Sequence, residues 1–197
     1  MKREAPAAAR NRQPILDVLQ PHLPEKGLVL EIASGTGEHV VHYAAARPGL
    51  TFQPSDPDAG ARASIDDWVR TLGLANVRPA LEIDVTQATW PVERADAVLC
   101  CNMIHIAPWE AAVGLVTGAA RLLPPGGLLF TYGPYRSGGR HTAPSNEAFD
   151  ADLKRRNPAW GVRDLEAVTE LAHGQGFSGP EIVEMPANNL SLLFKRV

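Results

Sequence analysis

Cysteine is nearly absent from this chain. The only two are the neighbours Cys100 and Cys101, which as adjacent residues of one strand point to opposite faces and are poorly placed to pair. A disulfide-built scaffold is excluded, and two free thiols in an apolar segment fit a reducing, cytoplasmic setting. Positive charge in long runs is also missing. The 19 Lys and Arg against 22 Asp and Glu leave a net charge of -3, and the longest basic run, Lys154-Arg155-Arg156, reads as a solvated helix face. A dedicated nucleic-acid binder rests on clustered cations, so DNA and RNA are not expected partners. No segment approaches the length of a membrane span, and residues 1–9 lack an apolar leader core. No repeat or long linker breaks the chain. Its 197 residues, 45% of them hydrophobic, fit one domain over 1–197 with a large core.

What is present is alternation. Apolar runs at Leu28–Ala33, Leu50–Ser55, Val77–Ile83, Ala95–Cys101 and Leu128–Tyr132 read as strands. Helical spacing occupies Pro14–Leu19, Gly37–Ala46, Ala59–Leu72, a segment from Pro108 to Leu122, Phe149–Arg156 and Leu165–Gly174. The tail predicts two more strands, Glu181–Met185 and Leu190–Lys195, around Pro186-Ala187-Asn188-Asn189. Strands alternating with helices imply an α/β fold. The expected form is a Rossmann-like three-layer sandwich, its sheet mostly parallel with an antiparallel C-terminal edge strand.

Chemistry concentrates at the predicted strand ends. The first strand runs into Glu31-Ile32-Ala33-Ser34-Gly35-Thr36-Gly37. Gly35 and Gly37 permit a sharp turn and a close backbone approach to a ligand, and the helix that follows presents free N–H groups. Asp56 closes the second strand and Asp84 the third. A carboxylate at Asp56 can accept hydrogen bonds from both hydroxyls of a ribose, and Asp84 can meet an adenine amino group. Each also has a purely structural reading as a cap or turn residue. A dinucleotide fingerprint requires a further glycine at position 40, where Val40 stands. A nicotinamide oxidoreductase is disfavoured on that ground.

The motif Glu31 to Gly37 resembles that of class I S-adenosylmethionine-dependent methyltransferases, with Ala33 in place of the usual first glycine. The resemblance implies S-adenosyl-L-methionine as cofactor, Asp56 as ribose ligand, Asp84 with Val85 beside the adenine, and Glu31, Ala33, Gly35 and Gly37 in the same site. A narrower resemblance rests on Arg10-Asn11-Arg12-Gln13-Pro14-Ile15-Leu16, Gln53-Pro54-Ser55-Asp56, Asn102-Met103-Ile104-His105-Ile106 and Tyr132-Gly133-Pro134-Tyr135. Ser145 to Asp150, Trp160 to Asp164 and Met185 to Leu190 extend it. These segments are similar to the methyltransferase-like family that includes methyltransferase-like protein twenty-six, which brings no substrate with it.

The remaining candidates concern a methyl acceptor, expected to be a small molecule with an oxygen, nitrogen or sulfur nucleophile. His105 is the leading base or orienting group, with a loop-bound histidine as its bland counterpart. Asn102 is assigned to the amino-acid end of the cofactor, and Arg10, ahead of the first helix, to its carboxylate. Tyr135 is read as facing the acceptor and Tyr132 as core. Trp109, Asn146, Arg163 and Asn188 are expected to shape the acceptor pocket, although turn chemistry also explains asparagine. Arg136 to Asn146 is read as a surface loop that can double as a lid. His39 and His42 share a helix face, but no compact ligand set accompanies them, so no metal is expected. The alternative to an enzyme is a non-catalytic module that binds the cofactor or a partner protein.

Overall fold

The computed structural model describes all 197 residues. Four parallel strands form the centre of a six-stranded sheet: β1 (Gly27–Ile32), β2 (Leu50–Pro54), β3 (Ala97–Cys101) and β4 (Leu128–Gly133). The order across the sheet is β2-β1-β3-β4-β9-β8, where β8 (Phe177–Met185) and β9 (Asn189–Arg196) form an antiparallel closing hairpin. The chain therefore leaves β1 for β2 on one side and returns to β3 on the other, which opens a crevice beyond the carboxyl end of β1.

Strand parity divides the core in two. Leu30, Ile32, Val98, Cys100 and Leu129 face α4 (Trp109–Leu122) and α6 (Leu165–Gly174). Val29, Leu99, Phe130 and Tyr132 face α1 (Pro6–Leu19), α2 (Glu38–Ala46) and α3 (Ala59–Leu72). The central strands are apolar on both faces because helices cover both. Asp58 caps α3 by accepting from Ala61 N–H at 2.7 Å. No helix is long and apolar enough to cross a membrane.

Several expectations need correction. The segment Val77 to Ile83 follows the outer edge of β2 but its backbone pairs there only at isolated bridges, Phe52 with Val77 and, just past the strand, Ser55 with Leu81. Pro79 lies between them and has no N–H to offer a ladder. The first helix begins at Pro6, not Pro14, so Arg10 lies inside it. Pro14 is tolerated in mid-helix because Ile15, Leu16 and Leu19 are buried against the sheet. The fifth helix, α5 (Pro144–Arg156), also begins early, with Pro144 in its first turn. The segment read as a loop or lid pairs instead. Its strands β5 (Tyr135–Ser137) and β6 (Arg140–His141) join β7 (Arg163–Asp164) in a small second sheet.

Gly37 is needed for packing. Its φ is +93°, and a Cβ there would lie 2.9 Å from Ile65 Cα on α3. The helix after the glycine turn thus approaches α3 through a gap that only glycine leaves open. Gly37→Ala should lower stability by about 2 kcal/mol, or about 4–8 °C in Tm by thermal denaturation.

Candidate functional site

Two adjoining cavities open at the carboxyl edge of the sheet. The first, about 460 Å³, is bounded by the ends of β1, β2 and β3 and by the start of α4, and Ala33, Gly35, Asp56, Asp84 and Val85 line it. The second, about 490 Å³, lies beyond β3 and β4 under α1, α5 and the β8–β9 turn, and Asn102, Tyr132, Asn146 and Asn188 line it. Ile106 belongs to both and forms part of the wall between them.

The first cavity owes its floor to hydrogen bonds between the ends of β1 and β2. Ser34 N–H donates to Ser55 O at 2.9 Å, and Ser55 Oγ donates to Glu31 O at 2.7 Å. Asp56 accepts from Gly35 N–H at 3.0 Å through Oδ2 and from Asp58 N–H at 2.9 Å through Oδ1. Arg62 of α3 donates to Asp56 O at 2.9 Å and to Pro57 O at 2.8 Å, which fixes this corner from behind. Asp56 is therefore not the cap of α3, a role Asp58 fills. Nothing lies within 4 Å of a Cβ built on Gly35, so its backbone faces open space. Asp84 accepts from Thr86 N–H at 2.9 Å and Thr86 Oγ1–H at 2.7 Å, which holds its carboxyl below the ordinary range.

Glu31 stands behind this floor, 2% exposed, and its Oε2 has no partner. Burial pushes its carboxyl up to about 7; a Ser34 hydrogen bond opposes the rise and the Asp56 charge adds to it. A buried carboxyl with an unfilled acceptor is unfavourable unless a donor or cation completes it.

Backbone strain marks the same place. Four non-glycine residues have positive φ: Ala33 at 54°, Asn102 at 63°, Ala187 at 59° and Asn188 at 58°. All four line one cavity or the other. Ala33 occupies the left-handed conformation that the usual glycine of this motif accepts without cost, a strain of about 1 kcal/mol.

The second cavity is uncharged. None of its 12 lining residues carries a charge, and five of the chain's seven asparagines are among them. Asn146 spends both amide hydrogens, on Thr142 Oγ1 at 3.1 Å and Asn188 O at 2.9 Å. Asn11 Oδ1 accepts from His39 Nε2–H at 2.7 Å, and burial holds His39 neutral by lowering its pKa to about 4. Burial raises the Tyr132 hydroxyl above its ordinary value; the neighbouring Asn11 and Asn189 amides and the Arg10 charge pull against this without cancelling it.

Other assigned residues lie elsewhere. His105 is fully buried and lines neither cavity. Its Nδ1 accepts from Arg163 N–H at 3.2 Å, and its carbonyl accepts from Gly161 N–H at 2.9 Å. Burial lowers its pKa to about 3, with the Arg163 charge adding to that. Arg163 spends its guanidinium on the carbonyls of Ile104, Ala107 and Ala159 and lies over the Trp109 ring at 5.7 Å. Both brace the loop after β3 and neither reaches a cavity. Tyr135 is buried with its hydroxyl 2.8 Å from Thr131 Oγ1 and lines neither cavity, against the expectation for it; Tyr132 is core, as expected, and also lines the second cavity. Gly37 faces α3 and not a ligand, and Arg10 is an exposed residue of α1. Asn102 falls in the second cavity. Sequence reasoning missed Cys101, Met103 and Ile106, which line the first. No group of three or more His, Cys, Asp or Glu is arranged to hold a metal ion.

With this geometry in view, comparison with known proteins adds the family. A family model described as protein of unknown function (DUF938) matches residues 2–196, and the chain belongs to that family. Its fold is that of solved methyltransferases. An O-methyltransferase family protein from Burkholderia thailandensis matches 96% of this chain with 57% of its own length, at a TM-score of 0.82 and 20% identity. Mitomycin 7-O-methyltransferase matches 96% with 55% of its own, at 0.80 and 16%. Human N-acetylserotonin methyltransferase, solved with SAM, matches 94% with 51% of its own, at 0.75 and 14%. At these identities the likeness is one of fold, and the chain spans little more than half the length of these proteins.

The buried histidines give the fold a pH dependence. Below about 6.5 the unfolded chain takes up protons that folded His39 and His105 refuse, so their contribution is lost as pH falls. Glu31, with its raised pKa, acts oppositely, but its displacement matches only that of His39. Tm should therefore fall steadily as pH drops from 6.5 toward 4.5, roughly, and His105→Gln should flatten the slope.

Proposed function

We propose that this DUF938 protein is an S-adenosylmethionine-dependent methyltransferase acting on a small nucleophilic acceptor. The observation that carries the reading is the first cavity. A glycine turn, the carboxyl side chains of Asp56 and Asp84, and a neighbouring second cavity meet at one sheet edge, with Glu31 buried behind it. The segments that resemble the methyltransferase-like protein twenty-six family, among them Asn102 to Ile106 and Met185 to Leu190, supply much of the wall of the second cavity.

The residues fit the cofactor. Glu31 Oε2 is a buried acceptor that a cationic amino group would complete. Asp56 lies where its free lone pairs can take ribose hydroxyls, and Asp84 with Val85 can flank the adenine. Ile83, Pro108 and Ala111 add apolar wall for a flat ring. When bound, the sulfonium supplies an electrophilic methyl group. The chain's task is to hold an acceptor in line from the second cavity across the Cys101–Asn102–Ile106 boundary. Orientation of this kind is worth about 7–11 kcal/mol. His105 acts here as a positioning residue, because its ring braces the loop that carries Asn102 and Ile106.

Thermal shift tests the reading. S-adenosylmethionine or S-adenosylhomocysteine at about one hundred times its Kd should add about 2.7 kcal/mol, roughly 5–10 °C in Tm, and NAD should add nothing. No shift with either sulfur compound would overturn it, and binding without turnover would favour a binding module.

Two variants sharpen the assignment. Asp56→Ala should weaken cofactor binding at least about tenfold by calorimetry, since it removes a charged acceptor. Glu31→Gln should raise the Tm of the free protein by removing a buried charge, yet weaken cofactor binding. In the native protein, binding near pH 6.5 should release part of a proton. A cation beside Glu31 lowers its pKa from about 7, and calorimetry in two buffers of different ionisation enthalpy reads the release.

A further inference from the structure

The second cavity narrows the acceptor. It gathers five of seven asparagines, one tyrosine and one serine, and no charged side chain. A carboxylate or ammonium brought into it would leave water without a counter-charge. Arg10, whose charge acts on Tyr132, stands outside the lining. An uncharged ligand with several polar edges meets amides well, because each amide offers both a donor and an acceptor. The amide orientations are fixed by the protein. Asn146 has spent both hydrogens, which leaves Oδ1 as its available atom. Tyr132 lines the cavity beside Asn11 and Asn189, and its O–H can donate to a ligand there. Ile106 and Phe149, 41% and 37% exposed, with Pro134 give the cavity an apolar lip that suits the face of a flat ring.

The second cavity also lacks a base: no carboxylate or histidine lines it. An aliphatic alcohol must lose its proton as it attacks, which calls for a side chain within reach that accepts protons near neutrality. His105 is sealed beneath Gly133 and committed to Arg163 N–H. Tyr132 and Cys101 are the ionisable groups at the boundary, and burial keeps both protonated. A nucleophile that carries its own lone pair at neutral pH has no such requirement.

Resting on the methyltransferase reading, we infer that the acceptor is an uncharged nitrogen heteroaromatic, methylated at a ring nitrogen whose lone pair is already free. The nitrogen lone pair forms the new N–C bond. The C–S bond of the sulfonium breaks with its electron pair remaining on sulfur. The product ring carries the positive charge, or loses a proton from its other nitrogen to water. Amide side chains recognise such rings along the heterocycle edge, as asparagine does with adenine.

The test uses the full chain. Calorimetry with S-adenosylmethionine comes first and isolates the reading beneath this one; absence of binding overturns that reading. With binding in hand, S-adenosylhomocysteine release and product mass are measured for two probe sets. One comprises pyridine-3-carboxamide, benzimidazole and purine; the other catechol, 4-nitrophenol and benzyl alcohol. The expected result is a kcat/KM at least about tenfold higher for ring-nitrogen probes. The rate should be flat with pH wherever the probe is neutral. Tyr132→Phe should lower kcat/KM about five- to tenfold, the loss of one hydrogen bond, with cofactor affinity and pH profile unchanged. Turnover confined to the oxygen set, or a pH profile that Tyr132→Phe removes, would overturn the assignment while leaving methyl transfer intact, and no turnover of any ring-nitrogen probe by cofactor-bound protein would overturn the assignment whatever the oxygen set does.

Discussion

The site depends on one junction, the hydrogen-bonded seam between the ends of β1 and β2. Gly35 N–H on Asp56, Ser34 N–H on Ser55 O, and Ser55 Oγ–H on Glu31 O bind two strand ends into one surface. Each neutral bond contributes about 1 kcal/mol net, and the charged one somewhat more. Their importance lies in direction. The Asp56 carboxylate is aimed by two backbone N–H groups, and the turn it holds places Ala33 in a left-handed conformation it would otherwise avoid. Arg62, reaching from α3 to the Asp56 and Pro57 carbonyls, makes the seam continuous with the helical layer.

The second junction joins β3 to β4 and is built around a sealed histidine. Asn102 N–H donates to Tyr132 O at 2.8 Å, extending the ladder one residue past β3. His105 packs edge-on to Tyr135 at 4.9 Å between ring centroids, and a Cβ on Gly133 would lie 2.5 Å from His105 Nε2. The histidine in this position thus requires the glycine. Arg163 completes the post by tying β7 to the loop after β3. A histidine that supports the backbone on both sides has little freedom to exchange protons with a ligand. The polar side chains that line the second cavity are the amides, Tyr132 and Ser145.

Much of this was legible in the residues. The apolar runs and the helical spacing place the central strands, because periodicity reports burial directly. Gly35, Asp56 and Asp84 meet in one cavity as the alternation of strand and acid implies, and Ala33 and Val85, which only the resemblance supplied, line it with them. The errors have physical sources. Tyr135 departs from expectation because the chain breaks at Gly133 and turns into a new sheet, so the parity of β4 does not carry across. Within β4, parity was informative: Tyr132 shares its face with Phe130, toward α1 and Asn11. The edge segment at Val77 failed as a strand because Pro79 interrupts its donors. Arg163 was misread because a guanidinium that satisfies three carbonyls looks, in sequence, the same as one that awaits a ligand.

Natural folds depart from local rules at their sites, and the departures here are concentrated. Away from the two cavities the ends of α3 follow local rules. Asp58 caps α3 at one end and Gly73, with φ 64°, ends it in the conformation glycine favours. At the carboxyl edge, four residues other than glycine adopt that conformation, and a buried carboxylate has an oxygen without a donor. Left-handed strain of about 1 kcal/mol at each position, added to a buried acceptor costing about 1–3 kcal/mol, is a large fraction of the 5–15 kcal/mol by which such domains are stable. A bound cation relieves the Glu31 penalty directly, since it supplies the missing partner. The strained backbone at Ala187 and Asn188 instead holds amide edges toward open space, where a ligand can use them without waiting for the loop to rearrange. The two costs differ in kind: one is recovered on binding, and the other is met in advance so that binding need not order the wall.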